Sequence, residues 1–449
     1  MKIISRRAAP MLTGLVSAAT LFGASGAAAD ITVDSDPILY WNNQAQALLP
    51  GSTPIQSRGF AMVNIAMHDA VNATTGSQNR YYLSGVANSG GDTRMAASQA
   101  AHDVLVKLNP ANTAQYDAAL AAYIGPIASG AAKTNGSETG ALYAKKILDT
   151  RSSDGSAALA SYTTTGLPGD WRPTTGNTVG TPQWGDVTPF LLTSPDQFRP
   201  GAPPALGSAQ YAADYNEVKA IGAVGSLTRA TTEGDSAQFW ASGSASQAWL
   251  RIGLALAEDD GLSTLENART FALLTSVMAD SQIAGFDSKF EYRMWRPITA
   301  IPLGDTDGNA MTAGDAGWLS LVAAPAFPGY VSTHSVLSQS AATSLASIFG
   351  NDDDFCLNLA FGDRCFANIG AAALDASNSR VWGGIHFRFE TDAGLVLGQQ
   401  LGDYAVGSRF FAAVPEPSTW AMMVTGFGLL GTMVRRRRGA LKAATLTQP

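Results

Sequence analysis

Lys289-Phe-Glu-Tyr-Arg-Met-Trp-Arg296-Pro297 sets two cations seven residues apart, directly before a proline. Seven residues are almost two turns of α-helix, so one helix carrying both would point Lys289 and Arg296 the same way. Proline disfavours the helical region for the residue before it, which predicts a helix ending near Arg296. Two positive side chains converging beside a helix end suit an anion-binding site. An isolated pair of this kind reads more simply as a solvated basic face, and the downstream sequence separates the two readings.

Downstream stands Phe327-Pro-Gly-Tyr-Val-Ser332-Thr333-His334-Ser335, followed by a helix-compatible run. A Ser-Thr-His at a helix start supplies a hydroxyl, backbone N–H groups and an imidazole at the positive end of the helix dipole. Ser and Thr there also serve as plain helix caps. Next comes Ser379-Arg380-Val-Trp-Gly383-Gly384-Ile-His386. Arg380 and His386 would lie on different faces of a continuous helix, and Gly383-Gly384 lets the backbone turn so that both reach one point. The chain has four histidines, two of them in these segments. His68 and His102 sit in helical contexts and read as structural.

Lys-x6-Arg-Pro, then Ser-x-His within Pro-x-Tyr-x-Ser-x-His, then Ser-Arg-x5-His, resemble the three motifs of one superfamily. It holds the vanadium-dependent haloperoxidases, the type 2 phosphatidic-acid phosphatases and related acid phosphatases. The order and internal spacing are the family's. Arg58–Ala70 and Ser236–Trp240 also look like bacterial haloperoxidase-type members, less specifically. The resemblance implies a mainly α fold of helical bundles and a vanadate held by Lys289, Arg296, Ser332, Thr333, Arg380 and His386. Ser332 would give its hydroxyl and Thr333 its backbone N–H. His386 would be the apical partner bonded to vanadium, His334 the acid–base group, and Lys289 would polarise bound peroxide. Arginine suits such a site because its planar donors match paired oxygens. One departure is Thr333, where the family usually has Gly. A position needing φ > 0 or close backbone approach would tax a β-branched residue. Glu233 or Asp235 are candidates to orient Arg380 or a catalytic His.

The implied activity is oxidation of halide by hydrogen peroxide at the vanadate. The alternative is a metal-free acid phosphatase, with His386 attacking a phosphate ester and His334 as acid and base. A third reading is an inactive surface matrix protein that has kept the fold.

Both ends read as addresses. Residues 1–29 carry Lys2, Arg6 and Arg7, an apolar run from Met11 and Ala27-Ala28-Ala29, the layout of a signal peptide. Ser5-Arg6-Arg7 leaves twin-arginine export open beside ordinary secretion. Residues 414–438 read Val-Pro-Glu-Pro, an apolar run from Trp420 to Val434, then Arg435–Arg438. The run is short for a helical span, and its arginines would stay cytoplasmic. This tail resembles the PEP-CTERM sorting signal of Gram-negative bacteria, which implies processing by an exosortase-type protease. It also implies transient anchoring in the inner membrane before release to the envelope, the surface or the medium. A permanent anchor is the other reading of the same run, and residues 439–449 form a short tail.

Of the net charge of −7, the leader supplies +3 and residues 414–449 supply +4, leaving −14 on the body between them. An acidic body argues against nucleic acid as a partner. The two cysteines, Cys356 and Cys365, are predicted to close a loop by a disulfide, with no His between them to suggest zinc.

Residues 30–413 read as one large domain or two intimate ones, built of Ala-rich amphipathic helices. Candidates are Arg58–Ala73, Thr93–Leu108, Ala114–Ile124, Gly136–Thr150, Ala209–Ala220 and Asp235–Ala257. Leu265–Ile283, Lys289–Arg296, Ser335–Phe349, Cys365–Asn378 and Thr391–Phe411 follow. Asp92 and Ser263 are expected N-caps. The Gly-, Pro- and Thr-rich stretch Gly155–Pro204 is expected to be irregular and to cover a site mouth.

Overall fold

The computed structural model describes residues 32, 35–76, 82–85, 88–174 and 179–408. The expected leader, the sorting tail and the short tail after it lie outside these residues, as does the end of the helix expected to reach Phe411. The described chain is mainly helical. Its first half carries α1 (Pro37–Leu48), α2 (Thr53–Thr75), α3 (Thr93–Leu108), α4 (Thr113–Ile124) and α5 (Ala131–Thr150). After the irregular stretch come α6 (Ala209–Ile221), α7 (Thr231–Ala241), α8 (Ala245–Asp260) and α9 (Thr264–Tyr292). Helix α1 is missing from the sequence reading, although Asp36 accepts the Ile38 N–H as N-cap and Pro37 opens the helix. The expected helix Asp235–Ala257 is two, broken at Ser242-Gly243-Ser244, where glycine disfavours helix.

Helix α9 is the spine. Ser263 and Glu266 form its capping box, contributing about 1 kcal/mol. One face, with Phe271, Leu274, Met278 and Ile283, belongs to the core shared with α2 and α8. Another, with Leu273, Val277 and Ala284, belongs to a second core shared with α6 and the C-terminal helices.

Two expected helices, Leu265–Ile283 and Lys289–Arg296, are corrected here. The first runs on through Lys289 without a break, and the second does not exist, because α9 stops at Tyr292. Arg293 takes the left-handed conformation at φ 54°. Its guanidinium pairs with Asp170 at 3.0 Å and donates to the Thr163 carbonyl at 2.7 Å. The Trp171 N–H bonds to the Arg293 carbonyl and the Trp295 N–H to Gly169, so the backbone runs extended against the irregular stretch. Arg296 then caps the short helix α10 (Pro297–Ala300).

The remaining elements are α11 (Thr333–Phe349), the antiparallel hairpin β1 (Phe355–Leu359) and β2 (Gly362–Phe366), α12 (Ile369–Trp382) and α13 (Arg388–Val406). Cys356 and Cys365 form the expected disulfide, directly opposite each other in the hairpin. The helix expected from Cys365 begins instead at Ile369, where Asn368 accepts the Ala371 N–H at 2.7 Å. Helices α11 and α13 pack closely along Gly394, Gly398 and Gly402, where an added Cβ would meet Ser332 O, Val336 O or the Thr343 side chain within 2.8 Å. That seam fixes the start of α11 beside the start of α13.

Candidate active site

Three segments converge at the C-terminal end of α9: Lys289 and Arg296, the turn entering α11, and the turn between α12 and α13. They enclose a cavity of about 180 Å³, lined by Thr333, His334, Arg380 and His386 together with Phe286 and Phe327. No acidic side chain lines it among the described residues. No described residue of Gly155–Pro204 lines it either; Ser52–Pro54 and Ala245 do. The irregular stretch instead straps α9. Asp280 accepts the N–H groups of Phe190, Leu191 and Leu192 at 2.6–2.9 Å, and Arg199 pairs with Asp287 at 2.7 Å.

Helix α12 ends at Trp382, and Gly384 at φ 75° turns the chain so that Arg380 and His386 share the cavity. Gly222 crosses so near that a Cβ on Gly384 would meet its carbonyl at 2.3 Å. Arg380 is buried. Its Nε donates to Ser379 Oγ at 2.9 Å, while Nη2 has no partner among the described residues. Burial, then Arg296, pushes its pKa down to about 9, which leaves it protonated at neutral pH. His334 follows Thr333 in the first turn of α11, with Nε2 buried and without a partner among the described residues. Burial, then Arg380, pushes it well below the usual histidine value. The Trp240 ring stands edge-on to it, centroids 6.1 Å apart.

His386 has both nitrogens engaged. Glu390 Oε2 lies 2.7 Å from Nδ1 and also accepts the Phe387 N–H at 3.1 Å. Arg296 Nη1 donates toward Nε2 at 3.3 Å. These partners assign the proton to Nδ1 and the lone pair to Nε2. Burial and three nearby cations, Arg296 foremost among them, push His386 well below the ordinary value, so the ring is neutral at neutral pH.

Of the other expected residues, Lys289, Arg296 and Ser332 lie close by but do not line the cavity. Lys289, fully buried, donates to the carbonyls of Pro328, Gly329 and Val331 at 2.9, 2.7 and 2.6 Å. Burial, then Arg296, pushes its pKa well down, with Glu390 pulling the other way. Arg296 donates to Phe327 O and Ile385 O, each at 2.7 Å. The Phe327 ring, which faces the cavity, stands 5.2 Å from Lys289 Nζ and 5.0 Å from Arg296 Cζ. Ser332 caps α11, accepting from the Ser335 hydroxyl at 3.0 Å, and its own proton meets no acceptor among the described residues. Thr333 opens the helix and has no positive φ.

Glu390 is absent from the sequence reading. Its signal is the i, i+4 spacing His386–Glu390 at a helix start, where a carboxylate at the third position caps the helix as well. Glu233 and Asp235 take no such part: Glu233 caps α7 through the Ala230 N–H. The carboxylate near Arg380 is Asp375, which accepts from Ser236, Trp240 Nε1 and Arg364 at 2.7–2.8 Å. His68, beside Asp69 and Asn72 inside α2, lies outside the cavity, as does His102, which bonds Asp103 and Asp117.

A family model of the VCPO second helical-bundle domain matches residues 269–411, and one of the PEP-CTERM protein-sorting motif matches 413–438. No curated protein matches the chain. Among solved structures it is similar to the first bacterial vanadium-dependent iodoperoxidase, with a TM-score of 0.70 and 24% identity over 82% of this chain and 94% of that one. A holo-type bacterial vanadium-dependent chloroperoxidase gives 0.66 and 16% over 84% and 98%, and an apo-type one 0.64 and 16% over 79% and 92%. The chain thus has the helical fold of the bacterial vanadium-dependent haloperoxidases, with a VCPO second helical-bundle domain spanning all three motifs and a PEP-CTERM sorting motif after it.

Proposed function

We propose that the chain is an exported, vanadium-dependent haloperoxidase-like enzyme that oxidises halide with hydrogen peroxide. The observation that carries this reading is the pair of unspent nitrogens, Arg380 Nη2 and His334 Nε2, on two residues that line one carboxylate-free cavity with His386. A buried polar group without a partner costs roughly 1–3 kcal/mol, more when charged, so Arg380 Nη2 marks the place of an anion and His334 Nε2 that of a group exchanging a proton with it.

The residues present fit vanadate. Arg380 would hold it by charge-assisted hydrogen bonds, helped by the Thr333 N–H at the start of α11 and the uncommitted Ser332 hydroxyl. His386 would hold it through Nε2, oriented by Glu390. Bound vanadate supplies the activation of peroxide toward halide. His334, neutral and buried, would take or return a proton at Nε2. Phe286 and Phe327 keep one wall apolar and limit water. Lys289 and Arg296 would act through their field and by fixing the loop 327–331. The sorting motif supports export and processing by an exosortase-type protease, and no described helix is long and apolar enough to cross a membrane.

The test is to load purified protein with orthovanadate and assay bromide and iodide oxidation by peroxide, beside phosphate-ester hydrolysis without vanadate. Vanadate-dependent halide oxidation that drops at least about a hundredfold in His386→Ala is expected. Hydrolysis without vanadate and no halide oxidation would replace this reading with a phosphatase using His386 as nucleophile.

A further inference from the structure

Thr333 stands on the cavity wall between Ser332 and His334, and helix α9 passes behind it with Gly285 at the crossing. A Cβ built on Gly285 would lie 2.5 Å from Thr333 Cγ2 and 3.5 Å from Thr333 Cβ. The threonine methyl therefore fills the space that the missing side chain leaves. Seating the methyl fixes χ1 of a β-branched residue, and with it the hydroxyl. That hydroxyl bonds to no described residue, although the residue lines the cavity with Arg380 and His386.

We propose that the Thr333 hydroxyl is a direct ligand of a tetrahedral oxyanion in this cavity, held in place by the seating of its methyl on Gly285. The inference rests on the oxyanion-site reading above and adds a contact that no glycine at this position could make. Its chemistry differs from that of Arg380. Arg380 only donates, whereas a hydroxyl both donates and accepts. It would therefore favour an oxyanion that keeps one proton, accepting from the protonated oxygen or donating to a bare one. Gly285 is the positioning residue, since any side chain there would displace the methyl.

The experiment measures orthovanadate affinity by calorimetry for the full folded chain and variants, with melting temperatures alongside. Thr333→Val keeps the methyl shape and should weaken binding about tenfold or more, the scale of a hydrogen bond to a charged group. Gly285→Ala should weaken it similarly, and Gly285→Ala with Thr333→Ser, which removes the clashing methyl, should recover most of the loss. Wild-type affinity in Thr333→Val overturns the proposal. If the valine variant melts early, Thr333→Ser against Thr333→Gly decides: tighter binding by serine supports the proposal, equal binding overturns it. Arg380→Met separates the two levels. If it abolishes binding while Thr333→Val does not alter it, only this inference fails; if wild type and Arg380→Met bind alike or not at all, the oxyanion site itself fails.

Discussion

Glu390 Oε2 sits 2.7 Å from His386 Nδ1 while it accepts the Phe387 N–H, so the residue that starts α13 also chooses the tautomer of the cavity histidine. A carboxyl partner on Nδ1 leaves Nε2 with the lone pair that a ligand or nucleophile needs. Glu390→Ala should lower halide oxidation and orthovanadate affinity by about 10–100-fold. The ¹⁵N resonances of His386 should then show a mixed tautomer. An unchanged Nδ1–H tautomer in the variant would remove Glu390 from this role.

The same carboxyl gives a pH dependence. Burial pushes Glu390 up to about 8, with Arg296 and Lys289 pulling the other way and Asp214 adding to the rise. Below the ordinary value of 4.5 it is protonated in folded and unfolded chains alike, and its contribution to stability is whole. Between there and about 8 the unfolded chain releases a proton that the native site keeps, so stability falls as pH rises, by at most about 5 kcal/mol. Unfolding by urea across this window should show the decline in wild type and a flatter profile in Glu390→Gln. Sulfate, an anion of fixed charge, should bind less well as pH passes 8 in wild type, and in the variant only near 9, where Arg380 loses its proton.

The motif residues were legible because the chemistry is written in spacing: Lys289, Arg296, Ser332, His334, Arg380 and His386 fall into three short patterns. How each acts was not. Lys289 and Arg296 were expected on one helix, yet Arg293 in a left-handed turn separates them, a consequence of its pairing with Asp170 far upstream. Glu390 was overlooked because a carboxylate three residues into a helix is also an ordinary cap. The hairpin with its two cysteines read as a loop running into a helix at Cys365, because each strand has five residues and pairing is what makes them strands. Nothing local in Gly285 announces Thr333.

Lys289 and Arg380 should fail in opposite ways. An ammonium has three N–H donors, and Lys289 gives them to three buried carbonyls. Lys289→Met orphans all three and should destabilise the fold by about 3 kcal/mol or more. Arg380 makes one side-chain bond, to Ser379, and repels Arg296. Arg380→Met should leave the melting temperature unchanged or higher while orthovanadate affinity falls at least about a hundredfold. Calorimetric titration and thermal melts on both variants check the contrast, and equal stability losses would contradict it.

Asp375 ties the disulfide hairpin to the cavity. It accepts Trp240 Nε1 at 2.7 Å, Ser236 Oγ at 2.8 Å and a two-point pair from Arg364, the strand residue before Cys365. The Trp240 ring in turn stands against His334. Arg364→Met loses a partly exposed ion pair and should cost about 1 kcal/mol. Asp375→Asn removes the charged acceptor from all of these donors at once and should cost about 2–3 kcal/mol in urea unfolding. Replacing both cysteines by serine frees the hairpin, at about 3 kcal/mol for a loop of this size. Because Arg364 is held in register by that hairpin, the cysteine pair and Arg364→Met should combine to less than the sum of their separate effects. Full additivity would mean that the hairpin and the Asp375 anchor act independently, leaving the Trp240–His334 contact to α7 and α11 alone.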